Sequence, residues 1–202
     1  MLLKYSFITS FKEIVSTETV GKKGYMTWKE IIEISVEDFV YIGNHSHSHE
    51  YLTKYNFAEF KKDIDKSINI LENKLNYKPI FFSYPFGEYS LVQKKYISSK
   101  FKYAFGQHSG VIDETKDLWE LPRFPINEKY GEIKRFNTLM KTLPFKYKRI
   151  SPNDMYLLQS KNPPKIIIEF YENIKNLDQT TCFSNEGSKW RNSQISFKER
   201  NV

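Results

Sequence analysis

The sequence predicts an α/β fold in which short parallel strands alternate with helices. Strand-forming segments at residues 4–9, 39–43, 80–82 and 103–106 are separated by segments with helical periodicity. The run Ile80-Phe81-Phe82 contains no polar residue, which is typical of a strand buried on both faces of a sheet. Strands joined by helices pair in parallel, so functional residues are expected beyond the carboxyl ends of the strands.

Three segments are predicted to be helical. The sequence Thr27-Trp28-Lys29-Glu30 matches a capping box, so a helix is expected from there to about Ser35. Asn56 is expected to cap a long helix, and residues 90–99 are expected to form another. Apolar residues recur in the long helix at spacings of three and four, which predicts one buried face: Phe60, Ile64, Ile68, Leu71 and Leu75.

The pattern changes after residue 150, so we expect one domain at residues 1–150 and a small β-rich appendage at residues 151–202. Residues 165–170 are predicted to form a strong strand and residues 194–197 a weaker one. Three aromatic residues of this region are explained either as the core of a small domain or as a face that stacks on sugars: Tyr171, Phe183 and Trp190.

Composition indicates a globular protein of one domain with a small appendage, because 40% of the 202 residues are hydrophobic and 16% aromatic. The net charge of +7 is dispersed, and Pro144 interrupts the one dense basic run at residues 141–149, so no nucleic-acid partner is expected. No apolar stretch approaches the ~20 residues of a membrane span, and no signal peptide is visible. Cys182 is the only cysteine, so no internal disulfide is expected.

Three of the four histidines, His45, His47 and His49, occupy alternate positions, and imidazole is a common metal ligand. In an extended strand all three side chains would point to one side. In a helical turn, His45 and His49 would share a face and His47 would point elsewhere. Gly43-Asn44 is a turn signal that ends the preceding strand. We therefore expect His45 and His49 to be ligands, with His47 in a supporting role.

The histidine cluster is also compatible with roles outside such a ligand pair. A surface loop rich in histidine is the simplest of these. The motif of the metallo-β-lactamases, His-x-His-x-Asp-His, is not matched, because Ser48 is followed at once by His49. Amidohydrolases also carry His-x-His, but their downstream lysine, histidine and aspartate ligands have no evident counterparts in this sequence.

Three segments occur in a characteristic order: IGNHSHSH at residues 42–49, FFSYPFG at residues 81–87 and ELPRF at residues 120–124. In order and spacing they resemble motifs of the NodB-homology polysaccharide deacetylases, also called carbohydrate esterase family four. The similarity covers roughly residues 4–131. It implies a distorted (β/α) barrel and a hydrolase that removes N-acetyl or O-acetyl groups from an acetylated amino-sugar polysaccharide.

The resemblance also implies roles for individual residues. His45 and His49 match two ligands of a divalent metal, most simply zinc. The backbone N–H of Phe86 matches the oxyanion donor, and Arg123 matches an arginine that bonds the catalytic aspartate. His108 is a weaker candidate for the general acid, because it lies earlier in the chain than the family's histidine. The remaining residues of the turn are expected to contact substrate: Tyr84, Pro85 and Gly87.

The sequence departs from the family pattern at its start. Relatives begin with a strand that ends in an Asp-Asp pair, which supplies the catalytic base and the third metal ligand, but no two aspartates are adjacent here. Residues 4–9 resemble the second strand of the family, so we expect an incomplete barrel that lacks the first strand and helix. Ser83 also stands near a position where relatives often carry arginine.

Three functional hypotheses follow from these motifs and departures. The first is a metal-dependent deacetylase, and the second is a non-catalytic relative that binds metal or sugar. The third is a basic interaction module with an incidental histidine loop. A serine nucleophile is not expected, because the sequence contains no Gly-x-Ser-x-Gly elbow. Ser46 and Ser48 are instead expected to orient the histidine loop through hydrogen bonds.

Overall fold

The computed structural model describes residues 26–127, 130–154, 163–171, 177–186 and 188–198, so the strand predicted at residues 4–9 lies outside it. The helices are α1 (Trp28–Ser35), α2 (Phe57–Leu75), α3 (Leu91–Lys100) and α4 (Ile133–Leu139). The strands are β1 (Phe81–Ser83), β2 (Tyr103–Phe105), β3 (Arg149–Ser151), β4 (Ile167–Glu169), β5 (Cys182–Glu186) and β6 (Lys189–Ser193). Three of the helices were predicted from the sequence, whereas α4 was not.

The three predicted helices begin where their capping residues indicate. The Thr27 side chain accepts a hydrogen bond from the Glu30 N–H, and the Glu30 carboxylate accepts one from the Thr27 N–H. Asn56 at α2 and Ser90 at α3 make equivalent reciprocal pairs. Each arrangement satisfies backbone donors that a helix leaves unpaired at its start. Helix α2 ends at Asn76, whose φ of 58° is left-handed and ends the helical path.

Helix α2 lies at the centre of the core. All five apolar residues of its predicted stripe are buried, which confirms that prediction. Phe60, Ile64 and Ile68 pack in one cluster with residues of β1, α3 and β2. Leu71 and Leu75 pack in a second cluster with Ile31 of α1 and Ile42. The helix therefore joins two groups of buried side chains.

Four extended segments run parallel in the order Asn44, β1, β2, Leu121. β1 and β2 form a parallel pair in which Phe82 is opposite Ala104. Asn44 forms a parallel bridge with Phe82, and Leu121 forms one with Phe105. The prediction of parallel strands joined by helices is thus confirmed from Asn44 to β2, where α2 and α3 form the connections, whereas residues 106–120 connect β2 to Leu121 without a helix.

Two strand predictions need correction. Residues 39–43 do not form a regular strand; pairing with β1 is made at Asn44, where its N–H donates to the Phe81 carbonyl and its carbonyl accepts from Ser83 N–H. The second apolar strand is Phe81–Ser83, one residue later than predicted. Ile80 precedes it and is 38% exposed, so burial on both faces does not extend to that residue.

The described residues of the C-terminal region form two antiparallel pairs. β3 pairs with β4, which lies inside the strand predicted at residues 165–170. β5 and β6 form a hairpin that was not predicted, and residues 194–197 are not a strand. The prediction at residues 194–197 was wrong, because pairing between β5 and β6 stops at Ser193 and no described strand pairs with these residues. The boundary expected at residue 150 falls within β3 and stays a prediction.

The three aromatic residues of this region are exposed, with Tyr171 at 62%, Phe183 at 57% and Trp190 at 72%. They therefore do not form a buried core among the described residues. No helix in the described ranges is long and apolar enough to span a membrane.

Replacing the capping residue of α2 tests how far this helix stabilises the fold. Asn56→Ala removes acceptors for the Ala58 and Glu59 N–H groups, both at 3.0 Å, so we expect the free energy of unfolding to fall by about 1 kcal/mol. Urea denaturation measures the change. Lys62→Ala, at an exposed position of the same helix, is the control and should have an effect within about 0.5 kcal/mol. Equal effects of both substitutions would contradict the role given to the cap.

Candidate functional site

The site lies where the parallel segments end. His45 follows Asn44, the turn at residues 85–87 follows β1, and Arg123 follows Leu121. The carboxyl ends of parallel strands meet at one edge of a sheet, so the backbone brings these residues to a common edge. This placement agrees with the expectation from the sequence.

His45 is held inside the protein by one hydrogen bond. Its side chain is 5% exposed, and its Nδ1 lies 2.6 Å from the Ser83 carbonyl oxygen. A carbonyl can only accept, so Nδ1 carries the proton and the lone pair of Nε2 remains available. Burial lowers the pKa of His45 to about 4, against a smaller opposing effect of the Ser83 bond. The ring is therefore neutral near pH 7, as metal ligation requires.

His49 lies beside His45 because the chain turns sharply between them. The two rings meet edge to face, with 4.9 Å between their centroids. Ser46 and His49 both have left-handed backbone, with φ of 69° and 53°. The Ser46 hydroxyl oxygen accepts a hydrogen bond from the His49 N–H at 3.0 Å. The structure thus places His45 and His49 together by an irregular turn with left-handed residues, which is neither the extended strand nor the helical turn considered from the sequence.

His47 lies in the same loop but takes no part in this ring contact. Its N–H donates to Asp63 Oδ1 at 2.9 Å. Its Nε2 is buried and has no hydrogen-bond partner among the described residues. Burial lowers the pKa of His47, so the neutral ring is favoured here as well. The supporting role expected for His47 is consistent with its backbone contact and stays a prediction.

The histidine loop is also held by polar side chains of Asn44 and of α2, which were not predicted as site residues. The Asp63 carboxylate accepts hydrogen bonds from the His47 and Ser48 N–H groups. Asn44 accepts one from the Ser46 N–H and donates to the Ser67 hydroxyl. Asp63 and Ser67 lie on the buried face of α2. Polar residues on an otherwise apolar face were the one feature of the sequence that could have indicated their role.

The turn after β1 brings Phe86 next to the histidines. Phe86 has a left-handed φ of 58°, which is uncommon for a bulky residue. Its ring lies 5.1 Å from that of His49 and stacks on Tyr51 at 4.0 Å. Gly87 also has positive φ, and a Cβ at this position would lie 2.7 Å from Gln107 atoms. The turn therefore requires glycine at 87 and is braced by aromatic contacts at 86.

The two residues that begin this turn are placed inside the core. The Tyr84 side chain is 1% exposed, and its hydroxyl donates to the Trp119 carbonyl. Pro85 is also buried. Substrate contact by Tyr84, Pro85 and Gly87 stays a prediction, and burial leaves the side chains of the first two little access to a ligand. The Ser83 hydroxyl is buried without a hydrogen-bond partner in the described residues.

Arg123 and His108 lie on the Leu121 side of the sheet. The Arg123 Nε donates to the Gly106 carbonyl at 2.8 Å, and its positive charge contributes to the low pKa of His45. His108 lines a separate cavity of about 350 Å³ with Lys116 and Glu120. The structure thus brings Arg123 within electrostatic range of His45 and places His108 against a different surface. Their catalytic roles stay predictions.

His45 and His49 fit two positions of a tetrahedral metal site, since their two imidazole rings lie side by side. Within the described ranges, no third histidine, cysteine, aspartate or glutamate joins them in a cluster that could hold a metal. The described residues therefore offer a two-imidazole set, which leaves further positions to water or substrate.

The buried state of His45 predicts a pH dependence of the metal-free protein. The unfolded chain binds the imidazole proton near pH 6.5, whereas the folded protein binds it only near pH 4. Stability should therefore fall as pH drops through this window, by up to about 3 kcal/mol. Urea unfolding at pH values between about 7 and about 4 measures it. His45→Gln keeps an N–H donor but does not titrate, so it should show a shallower slope; identical slopes would contradict the assignment.

Comparison with known proteins gives a family match for part of the chain and several similar solved structures. The polysaccharide deacetylase family model matches residues 9–105. No curated protein sequence matches the chain. Similar solved structures include a polysaccharide deacetylase from Bacillus cereus (18% identity, TM-score 0.57) and a Streptococcus pyogenes deacetylase in complex with acetate (17%, 0.60). A third is a de-N-acetylase from Aggregatibacter actinomycetemcomitans (14%, 0.53).

The alignments cover 67%, 69% and 66% of this chain but only 41%, 62% and 64% of those structures, in the same order. The chain thus spans less than two thirds of their length. At this identity the structures show the fold alone, and they agree with the expected incomplete distorted (β/α) barrel. Residues 9–105 match the polysaccharide deacetylase family model, and they contain two of the three motifs on which the resemblance rests, at residues 42–49 and 81–87.

Proposed function

We propose that the chain provides a metal-dependent, deacetylase-type hydrolase domain whose substrates are polysaccharides of acetylated amino sugars. The observation that carries this proposal is the pairing of the His45 and His49 rings beside the Phe86 turn. The family match supports the reaction class, which for an N-acetyl group is hydrolysis of a carbon–nitrogen bond outside a peptide.

His45 and His49 would hold a divalent ion, most simply zinc, because neutral imidazoles suit a tetrahedral site. Such an ion, when bound, supplies polarisation of the acetyl carbonyl and activation of water. His45 is prepared for this role, since its proton is fixed on Nδ1 by the Ser83 carbonyl. The hydrogen bond from the His49 backbone N–H to the Ser46 hydroxyl holds the backbone of the second proposed ligand at the far end of the turn.

The Phe86 N–H is proposed to donate a hydrogen bond to the acetyl oxygen as negative charge develops there. The contacts of the Phe86 ring with His49 and Tyr51 support this role, because they restrain the turn before substrate arrives. Arg123 is proposed to orient a carboxylate base. The sequence has no Asp-Asp pair to supply that base, so we expect this chain to bind zinc at reduced affinity with little turnover.

A non-catalytic relative that binds metal or sugar is the second candidate. The absence of adjacent aspartates and the serine at position 83 favour it. The hairpin also favours sugar binding: Phe183 and Trp190 are exposed and lie on one face of β5–β6, because Asn185 is opposite Trp190 and two residues from Phe183. Exposed aromatic rings on one face are suited to stacking on sugar rings.

Zinc titration of the intact chain tests the metal site. We expect one zinc per chain in the wild type, and a loss of affinity in His45→Ala/His49→Ala greater than the ~10–100-fold typical of residues that only support a ligand. Isothermal titration calorimetry or a chromophoric competitor measures the affinity. His108→Ala is the control, because His108 faces a separate cavity. Wild-type zinc affinity in the double variant would contradict the assignment of the site. If neither the wild type nor the variants bind zinc, the basic interaction module is favoured.

Acetate release from N-acetylglucosamine oligomers tests how much turnover this chain supports. We expect the zinc-loaded chain to release acetate little faster than the His45→Ala/His49→Ala background, because no Asp-Asp pair supplies the base. An enzyme-coupled acetate assay measures the rate. Release well above that background would show that another group of this chain serves as the base, and the expectation of low turnover would be wrong.

A further inference from the structure

The backbone of the histidine loop is held by side chains that are not metal ligands. Four consecutive N–H groups, those of residues 46–49, each donate to a side-chain oxygen. The first donates to Asn44 and the last to Ser46, both within or beside the loop. The two central N–H groups donate to Asp63, which lies on a different element. Asp63 is therefore the direct link from the loop to α2.

The Asp63 carboxylate is buried, and both of its oxygens accept hydrogen bonds from the loop. It is 8% exposed, and its two oxygens accept from the His47 and Ser48 N–H groups at 2.9 and 3.0 Å. Hydrogen bonds to an ionised carboxylate are stronger than those between neutral groups. Burial of a carboxylate costs free energy unless such bonds are made. The loop and Asp63 therefore stabilise one another.

The loop needs such support because its backbone is strained. Ser46 and His49 both lie in the left-handed region, which costs on the order of 1–3 kcal/mol for each non-glycine residue. Without external hydrogen bonds, the chain between the two histidines would relax toward commoner conformations. The left-handed turn is also what brings the two rings to 4.9 Å. The ring geometry therefore depends on what holds the turn.

We propose that Asp63 is a positioning residue, which presets the turn between His45 and His49 so that both imidazoles meet a metal ion without reorganisation. This inference rests on the proposed function in so far as it concerns metal. Asp63 contacts neither ring; it acts through the two N–H groups of the loop. Residues that orient metal ligands typically contribute about 10–100-fold in affinity.

Asp65 supplies a matched control on the same helix. It lies two positions from Asp63, and its carboxylate accepts from Tyr96 and pairs with Lys100 at 3.1 Å, on the side that faces α3. Asp65→Asn thus makes the same chemical change in the same helix without contact to the histidine loop. Asp63→Asn replaces one acceptor oxygen by an NH₂ group, which cannot accept from a backbone N–H.

The experiment measures Zn²⁺ affinity, the absorption spectrum with Co²⁺ and backbone hydrogen exchange of the metal-free chain, at a temperature where circular dichroism shows each protein folded. We expect Asp63→Asn to weaken Zn²⁺ binding by about 10–100-fold. It should also alter the Co²⁺ bands and speed exchange at His47 and Ser48. Asp65→Asn should resemble the wild type in all three. General loss of stability would not change the Co²⁺ spectrum of a folded protein.

The outcomes separate this inference from the proposed function. If Asp63→Asn binds Zn²⁺ and exchanges like the wild type, or if Asp65→Asn shows the same losses, the positioning role is wrong. If the wild type binds neither metal, the proposed function fails, and exchange at His47 and Ser48 still decides whether Asp63 holds the turn. Should Asp63→Asn not fold, Asp63→Glu keeps both acceptors but shifts them by one methylene. It should weaken Zn²⁺ binding several-fold, and wild-type affinity would overturn the proposal.

Discussion

Burial of the apolar face of α2 determines where the polar residues of that face must lie. Packing of Phe60, Ile64 and Ile68 against β1, α3 and β2 fixes the rotation of the helix. Asp63 and Ser67 are carried to the same buried side, where solvent cannot satisfy them. Their partners are the histidine loop and Asn44. One packing constraint thus sets both the core and the conformation of the candidate metal site.

The same constraint explains why the site tolerates uncommon backbone conformations. Left-handed residues at positions 46, 49 and 86 are costly taken alone. Hydrogen bonds to α2 and β1 hold the histidine loop, and the stacking of Phe86 on Tyr51 holds the turn. Strain of this kind persists only where surrounding structure determines it, and here it is concentrated around the two imidazoles. The fold itself therefore prepares the geometry of the two rings.

Much of the fold could be predicted because its signals are local. The capping residues and the apolar stripe predicted α1, α2 and α3. The order of the motifs predicted the edge of the sheet at which the candidate site lies. Residues 39–43 were predicted to be a strand, but the pairing with β1 is made at Asn44. Such pairing depends on a contact with a distant segment, which local sequence does not show. Asp63 was missed, since a carboxylate on an apolar stripe has no partner that sequence alone can name. The β5–β6 hairpin escaped prediction because both of its faces are largely exposed and give no alternation of apolar and polar residues.

The column of rings formed by His49, Phe86 and Tyr51 joins two motifs that are distant in sequence. The ring of Phe86 contacts both of the others, so a smaller side chain at 86 would leave Tyr51 without its stacking partner and would remove a neighbour of His49. The histidine motif and the turn motif are thus joined by direct side-chain packing as well as by their place at one edge of the sheet.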